Sequence, residues 1–327
     1  MLNHNRIIWA DALRGLLILI VILGHSLQHG DYENRLSWNI IYSFHMAAFF
    51  VISGYVGYKE SYKMSSLIGK ARQLLLPFIS WTIIETLISG AGFLRIGNVL
   101  LHPDTSYWFV YVLFIILSVF FLMVTISKKM GLNDNCLLLG GVILLILVMV
   151  VTEFRLFGFQ FISLYFGFYV LGYLLRKYWI QFALSHIVIL GVIWLVLAFF
   201  WRMHAVPASL QWATSYIPSS LLTYGYRYIT AFIGSLFFIG FAMKCMNIDN
   251  ATIRLLSYLG KISLGIYIIH LFLGKYIDVF YMHYFQSDTC LSFVTFDFFF
   301  KLGLSCLLVQ LICRNPIVSL LLLGKGK

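Results

Sequence analysis

Three ionisable residues in the first apolar stretch of the chain have types and a spacing that could support catalysis. Asp11 precedes Arg14 by three residues, and His25 follows Arg14 by eleven. At about 100° per residue, eleven steps turn a helix through about three circles, so Arg14 and His25 share one face, about 16 Å apart along the axis. Histidine is the usual general base near neutral pH. The alternative is a buried Asp11–Arg14 ion pair, with a histidine that meets water at the outer helix end.

Further polar residues lie inside other apolar runs. His45 lies in the outer third of the second run, and Glu85 lies in the outer half of the third. An intramembrane glutamate requires a partner, and a histidine from a neighbouring helix and a structural arginine are equally open. Ser263, Tyr267 and His270 stand at i, i+4 and i+7, which predicts one polar stripe on a helix.

The composition predicts the elements that must position these residues. The chain has 327 residues, of which 61% are hydrophobic and 11% are charged. Apolar runs recur at membrane-spanning length from end to end, so we expect an all-α polytopic membrane helix bundle forming a single domain, 1–327. Ten spans are predicted at 7–28, 40–58, 74–94, 108–127, 136–152, 160–175, 183–201, 226–246, 261–281 and 291–313. The net charge of +11 does not indicate a nucleic-acid partner, because the basic residues lie between apolar runs.

Charge in the loops predicts the orientation. With the amino terminus inside, the inner segments hold fifteen Lys and Arg residues and the outer segments hold six. This excess follows the positive-inside rule, so both termini are expected to be cytoplasmic. The first run has no small-residue cleavage site, so we expect it to be retained. The longest connection, 202–225, is either a lid over an outward-facing site or a linker lying in the membrane interface.

Two remaining polar features favour structural roles. Asp297 and Lys301 stand at i and i+4 in the last predicted span, which indicates a self-contained ion pair. The five cysteines show no CxxC spacing and are odd in number. We therefore expect small core residues, with neither a disulfide framework nor a metal site.

Four motifs in order resemble the acyltransferase-3 membrane proteins. Arg14 and His25, with ten residues between them, resemble the arginine–X10–histidine signature of that family's first span. The stretch from Phe44 to Tyr55 is similar to the second span, and Tyr107 to Val110 and Ser263 to His270 resemble the fourth and a late span. The likeness covers nearly the whole chain. It is closest to the short branch of fucose or O-antigen O-acetylases, which lack an additional SGNH esterase-like domain.

The resemblance implies an activity. Members transfer an acyl group, most often acetyl, from cytoplasmic acyl-CoA to a hydroxyl of an envelope glycan, such as a polysaccharide or lipopolysaccharide, or of a lipid-linked sugar. It implies a multi-pass protein of the bacterial inner membrane, with acyl-CoA as a donor substrate and no permanently bound cofactor. The different class that the residues allow is a non-enzymatic transporter of a glycolipid or small anion, in which the charged residues bind substrate or relay protons.

The resemblance also implies roles for particular residues. His25 would take the proton from the sugar hydroxyl as it attacks the thioester, and Arg14 would hold the CoA arm or an adjacent phosphate. Asp11 would orient Arg14. His270 and Tyr267 would polarise the carbonyl or orient the acceptor, and an acyl-enzyme route is a further possibility.

One motif departs from the family pattern. Members often carry an Arg-x-x-Arg cluster before the third span, where this chain has Lys70 and Arg72 and places Gln73 at one expected basic position. Lys70 and Arg72 are the expected ligands of the acyl-CoA phosphates. His45 and Glu85 are further candidates for catalysis or acceptor binding.

Overall fold

The apolar runs of the chain form helices. The computed structural model describes residues 7–29, 33, 35–103, 107–152, 154–285 and 291–325, and every regular element within these ranges is helical. The α-helices are α1 (Ile8–His29), α2 (Leu36–Tyr42), α3 (His45–Gly57), α4 (Met64–Ile88), α5 (Leu94–Leu101), α6 (Trp108–Met130), α7 (Asp134–Thr152), α8 (Phe159–Lys177), α9 (Leu184–Phe200), α10 (Ser219–Cys245), α11 (Ala251–Lys261), α12 (Ser263–Phe285), α13 (Leu291–Ile312) and α14 (Pro316–Leu323). Short 3₁₀ turns cover Leu156–Gly158 and Ala208–Ser215.

Eight helical segments in the described ranges are long and apolar enough to cross a bilayer. They are Ile8–Gln28, Leu36–Gly57, Met64–Ile88, Trp108–Met130, Asp134–Thr152, Leu156–Lys177, Ser219–Cys245 and Leu291–Ile312. Two further predicted spans take other forms. Leu184–Phe200 has 17 residues, and Ala251–Lys261 meets Ser263–Ile277 at a bend of 70°. The all-α polytopic fold is therefore confirmed, whereas ten spans and cytoplasmic termini stay predictions.

The chain forms two compact units, Met1–Ile52 with Tyr178–Cys306 and Ser53–Lys177 with Leu307–Lys327. In the first unit, α1 packs against α2, α10, α11 and α12. One hydrophobic cluster of this unit consists of Leu27, Trp38, Ile41, Trp201 and Val294. In the second unit, α4 packs against α5, α6 and α14, and α8 packs against α6 and α7. The single domain expected over 1–327 stays a prediction, because two compact units can belong to one domain or to two.

Two helices begin well before the expected residue. Helix α4 begins at Met64 rather than near residue 74, so Pro77 lies inside it. Helix α10 begins at Ser219 rather than near 226, which shortens the predicted 202–225 connection. After the last predicted span, Leu323 of α14 is buried, and Trp81 Nε1 donates a hydrogen bond to the backbone oxygen of Leu322 at 3.0 Å.

The ion pair predicted within the last span is present. Lys301 Nζ lies 2.6 Å from Asp297 Oδ2, and both side chains are buried. Because both charges come from neighbouring turns of α13, the pair is local to that helix, as the i, i+4 spacing predicts. Cys136, Cys245, Cys306 and Cys313 are free thiols, and Cys290 lies outside the described residues.

Candidate active site

Close backbone contact with α11 fixes the first half of α1. Gly260 lies against Asp11 and Gly15, and Gly15 lies against Leu256, so a Cβ on either glycine would collide with a backbone oxygen. Ser257 Oγ also donates a hydrogen bond to the backbone oxygen of Ile8 at 3.4 Å. Since the bend between α11 and α12 follows Gly260 directly, the turn of α1 that carries Arg14 lies beside this bend.

Arg14 and Asp11 face each other across one turn of α1. Arg14 Nη1 lies 3.6 Å from Asp11 Oδ1, and the two side chains keep 27% and 13% of their surface exposed. A hydrated pair at this distance contributes little to stability, about 0–1 kcal/mol. The geometry therefore allows Asp11 to orient a guanidinium that still reaches solvent or a ligand.

The second half of α1 lies beside α12. The rings of His25 and His270 are neighbours, with centroids 5.4 Å apart. Gly260 of α11 is next to Asp11, and His270 of α12 is next to His25, so the two helices contact different halves of α1. Tyr267 lies one turn before His270, with ring centroids 5.9 Å apart, and both side chains are buried. The structure thus brings His25, Tyr267 and His270 together.

Ser263 is separate from this group. It stands at the start of α12, where its Oγ donates a hydrogen bond to the backbone oxygen of Gly260 at 2.9 Å. The expected stripe of Ser263, Tyr267 and His270 therefore divides at the bend. The hydroxyl of Ser263 supports the break between α11 and α12, while His270 lies beside His25 of α1 and Tyr267 lies beside His270.

Backbone hydrogen bonds set the tautomer of two histidines. His270 Nδ1 lies 2.9 Å from the backbone oxygen of Ile266, and His45 Nδ1 lies 2.7 Å from that of Ile41. A carbonyl oxygen only accepts, so in the neutral ring Nδ1 carries the proton and Nε2 carries the lone pair. Nε2 of each ring is then an acceptor or base rather than a donor.

Tyr42 is a member of this group that the sequence did not single out. Its ring lies between His25 and His45, with centroids 6.4 and 5.0 Å away, and stacks on Trp38 at 4.1 Å. Its hydroxyl donates a hydrogen bond to Gln28 Oε1 at 3.2 Å. The available signal was the i, i+4 pair of Trp38 and Tyr42, which places two aromatic rings on one face of α2.

Glu85 has an arginine partner and belongs to a separate cluster in the second unit. Its Oε2 lies 3.0 Å from Arg95 Nη2, and its Oε1 accepts a hydrogen bond of 2.5 Å from the Tyr107 hydroxyl. Arg95 Nη1 also donates to Ser89 Oγ at 2.8 Å. Of the two partner types left open for this glutamate, the structure shows the arginine. The carboxylate therefore links α4 to α5 and to the start of α6.

Lys70 and Arg72 lie on α4 itself rather than on a loop before it. Both side chains are exposed, and Lys70 Nζ donates a hydrogen bond to Gln73 Oε1 at 2.8 Å. The backbone of Gln73 lies against Gly324, after α14. Gln73, at the departure from the family pattern, is therefore occupied with local contacts, while Lys70 and Arg72 face outward. Among the described residues, no three His, Cys, Asp or Glu side chains are grouped to hold a metal ion.

Comparisons with known proteins identify the family. The chain is 36% identical over 129 residues to the nodulation protein NolL of Mesorhizobium japonicum (strain LMG 29417 / CECT 9101 / MAFF 303099), which covers 35% of each chain. It is 38% identical over 93 residues to the nodulation protein NolL of Sinorhizobium fredii (strain NBRC 101917 / NGR234), which covers 25% of each chain. The matches thus span about a third or less of these relatives, and no solved structure matches.

The acyltransferase-3 family model, described as an acyltransferase domain, matches residues 7–314. The chain therefore belongs to the acyltransferase-3 family.

Proposed function

We propose that this acyltransferase moves an acyl group, most often acetyl, from cytoplasmic acyl-CoA to a hydroxyl of an envelope glycan or a lipid-linked sugar, in the bacterial inner membrane. One observation carries the proposal. A histidine pair, His25 and His270, joins two neighbouring helices, and one of these helices also carries Arg14. This arrangement places a proton acceptor and an anion-binding side chain along a single helix.

In the proposed reaction, the acceptor hydroxyl attacks the carbonyl carbon of the thioester. A ring nitrogen of His25 takes the hydroxyl proton as the new C–O bond forms. The C–S bond then breaks, the acyl group stays on the acceptor oxygen, and CoA leaves as a thiolate. The imidazolium of His25 returns the proton to the thiolate or to water, so the enzyme regains its starting state.

The role of His270 follows from its tautomer. With its proton on Nδ1, a neutral His270 cannot donate from Nε2 to polarise a carbonyl. We therefore assign it a different role from the one first expected. His270 packs its ring against that of His25 and keeps this imidazole in one orientation. Tyr267, one turn away, orients the acceptor.

Donor binding belongs to the charged residues in this proposal. Arg14, oriented by Asp11, grips the CoA arm or an adjacent phosphate, because a guanidinium presents several donors to such groups. Lys70 and Arg72 contact the phosphates from the exposed face of α4. The acyl-CoA is a substrate that enters and leaves, and an acyl-enzyme route with the same residues is compatible with this placement.

Two other candidates receive supporting roles. His45 is buried and packs edge-on against Tyr42, so it keeps that ring in place. It is also a further candidate for the general base. Glu85 is engaged by Arg95 and Tyr107, so we assign it to the structure of the second unit rather than to catalysis. The family assignment favours an enzyme over the alternative, a non-enzymatic transporter, which would bind its substrate but transfer no group.

The experiment is a transfer assay on detergent-solubilised protein with acetyl-CoA and envelope glycan or lipid-linked sugar. We expect acetyl transfer or slow acetyl-CoA hydrolysis, lost in His25→Ala and kept in His186→Ala, which removes an exposed histidine of α9. Chemical analysis of the envelope polysaccharide with and without the protein would identify the acetylated sugar. Binding or movement of a solute with no acetyl transfer by the intact protein would contradict the proposal.

A further inference from the structure

Basic residues gather at one end of the second unit. The segments 53–72, 124–137 and 173–177 carry eight Lys and Arg residues, against two acidic residues, Glu60 and Asp134. The eight are Lys59, Lys63, Lys70, Arg72, Lys128, Lys129, Arg176 and Lys177. The positive-inside rule alone accounts for such charges in loops, so the arrangement of their side chains decides whether they also form a site.

Helix contacts bring three of these segments together. Gly54 of α3 lies against the backbone of Tyr169 and Tyr173 of α8, where a Cβ would collide, so the ends of these helices are neighbours. The rings of Tyr58 and Tyr173 are 5.6 Å apart, and Phe120 of α6 lies 4.9 Å from Tyr173. The ends of α3 and α8 and the middle of α6 therefore meet at these rings.

Two cations of α8 are held against tyrosine rings. Arg176 Nη1 donates a hydrogen bond to the Tyr55 hydroxyl at 3.3 Å, and its guanidinium carbon lies 5.3 Å from the centroid of the same ring. Lys177 Nζ lies 5.5 Å from the Tyr173 centroid and donates to Asn135 Oδ1 at 2.8 Å. These contacts with rings and an amide fix the direction of both cations.

A third cation and a neutral tyrosine complete the group. Lys128 Nζ donates to the backbone oxygen of Glu60 at 3.0 Å, which is again a neutral acceptor. The Tyr62 hydroxyl accepts a hydrogen bond from the backbone N–H of Lys59 at 3.1 Å. Burial raises the pKa of Tyr62, with a smaller contribution from the charge of Asp134 nearby, so this hydroxyl stays uncharged.

We propose that Arg176, Lys177 and Lys128 bind the phosphate groups of a nucleotide, with Tyr58 beside them as a surface for its base. This inference rests on the proposed function only in naming that nucleotide as the CoA moiety of the acyl donor. Directed cations next to aromatic rings suit a ligand with both phosphates and a planar base, because phosphates bind such donors and bases stack on rings. An anionic lipid headgroup offers the phosphate but no base.

The test uses the full chain in discs of zwitterionic phosphatidylcholine, with membrane insertion checked. Arg176→Gln and Lys177→Gln are each expected to weaken CoA binding about tenfold, which equals about 1.4 kcal/mol. The ratio of kcat/KM for acetyl-CoA to that for S-acetyl-pantetheine, which has no nucleotide, should fall to a similar extent. The matched control is Lys244→Gln, which removes one exposed cation from the last turn of α10 and should leave both values unchanged.

A conservative variant separates shape from charge. Arg176→Lys keeps the charge but loses the planar fork, so it should restore CoA binding only in part. Unchanged CoA binding in both glutamine variants would overturn the site, as would an effect on binding to vesicles containing anionic phosphatidylglycerol with no effect on CoA. If the intact protein binds CoA through these residues but transfers no acetyl group, the site stands and the proposed transfer fails.

Discussion

At the scale of the residue, the candidate site depends on contacts between rings. His25 has Tyr42 and His270 as ring neighbours, at centroid distances of 6.4 and 5.4 Å. Aromatic neighbours hold an imidazole in one orientation, which suits a general base that must be aligned with its substrate. Along α1, the nearest charged pair is Asp11 with Arg14, and donor binding by Arg14 is part of the function proposed above.

Substitution of the pair on α1 distinguishes a structural role from donor binding. If Arg14 binds the donor, Arg14→Lys should raise KM for acetyl-CoA about tenfold, because lysine lacks the planar fork of donors. The double change Asp11→Asn with Arg14→Gln should then be inactive. If the two residues only balance each other, lysine should suffice and the neutral double variant should work. Steady-state kinetics of correctly inserted protein decides between these outcomes.

Tyr42 acts through its neighbours and is a positioning residue. Tyr42→Leu removes the ring between His25 and His45, and we expect kcat to fall about tenfold or more, because a misplaced base loses its alignment. CoA binding should stay close to that of the intact protein. Tyr42→Phe keeps the ring and should restore most of the turnover. A fall in CoA binding equal to the fall in kcat would contradict this role.

At the scale of the element, the break between α11 and α12 sets the geometry. Helix α11 packs on the first half of α1 through Gly15 and Gly260, and α12 then runs beside the second half. One helix thus receives two partners with different directions, 70° apart. The first partner supports the turn of Arg14 and the second brings His270 to His25.

A single methyl group tests this arrangement. Gly260→Ala places a Cβ against the backbone oxygen of Asp11, which cannot move as a side chain can. We expect a loss of about 1–3 kcal/mol in stability, measured by thermal unfolding in detergent, with reduced acetyl transfer. The control is Gly140→Ala on α7, where nothing lies within 4 Å of the new Cβ. That change should be neutral or stabilising by about 1 kcal/mol. Equal behaviour of the two variants would contradict the account.

The sequence predicted the local part of this site and missed the long-range part. Periodicity placed Arg14 with His25 and Tyr267 with His270, because residues on one face of a helix are set by 3.6-residue geometry. It did not predict the break at Ile262, because Gly260 is compatible with a helix. The close contact of Gly260 with α1, which leaves no room for a Cβ, arises only in the folded chain. It left the partner of Glu85 open for the same reason, since Arg95 lies on a different helix. Tyr42 was overlooked because α2 was not separated from the second span.

At the scale of the whole molecule, exposed apolar side chains and the distribution of basic residues agree with a membrane protein. Large apolar side chains are exposed along α7 and α9, for example Leu144, Leu147, Val188 and Val192. Such faces match hydrocarbon rather than water, which agrees with a multi-pass membrane protein. Basic residues are concentrated in alternate loops of the chain, which predicts cytoplasmic termini and an inner location for the nucleotide site proposed above.

Cysteine labelling tests this topology. In a chain whose own cysteines are replaced, Ser215→Cys in the segment 202–225 should react with a membrane-impermeant maleimide from outside. Ser61→Cys, in the segment 59–72, should react only after permeabilisation. Both positions are exposed in the structure, so access depends on the side of the membrane. Reaction of Ser61→Cys from outside would invert the assignment of donor and acceptor sides.

The central claim is that His25 takes the proton of the acceptor hydroxyl. The most direct measurement compares acetyl transfer and CoA binding in the intact protein and in His25→Ala, from matched preparations with insertion checked. A general base acts in the transition state, so transfer should fall by about 10²–10⁴-fold while CoA binding changes little. Near-normal transfer by His25→Ala would contradict the account and would move the search for the base to His270 or His45.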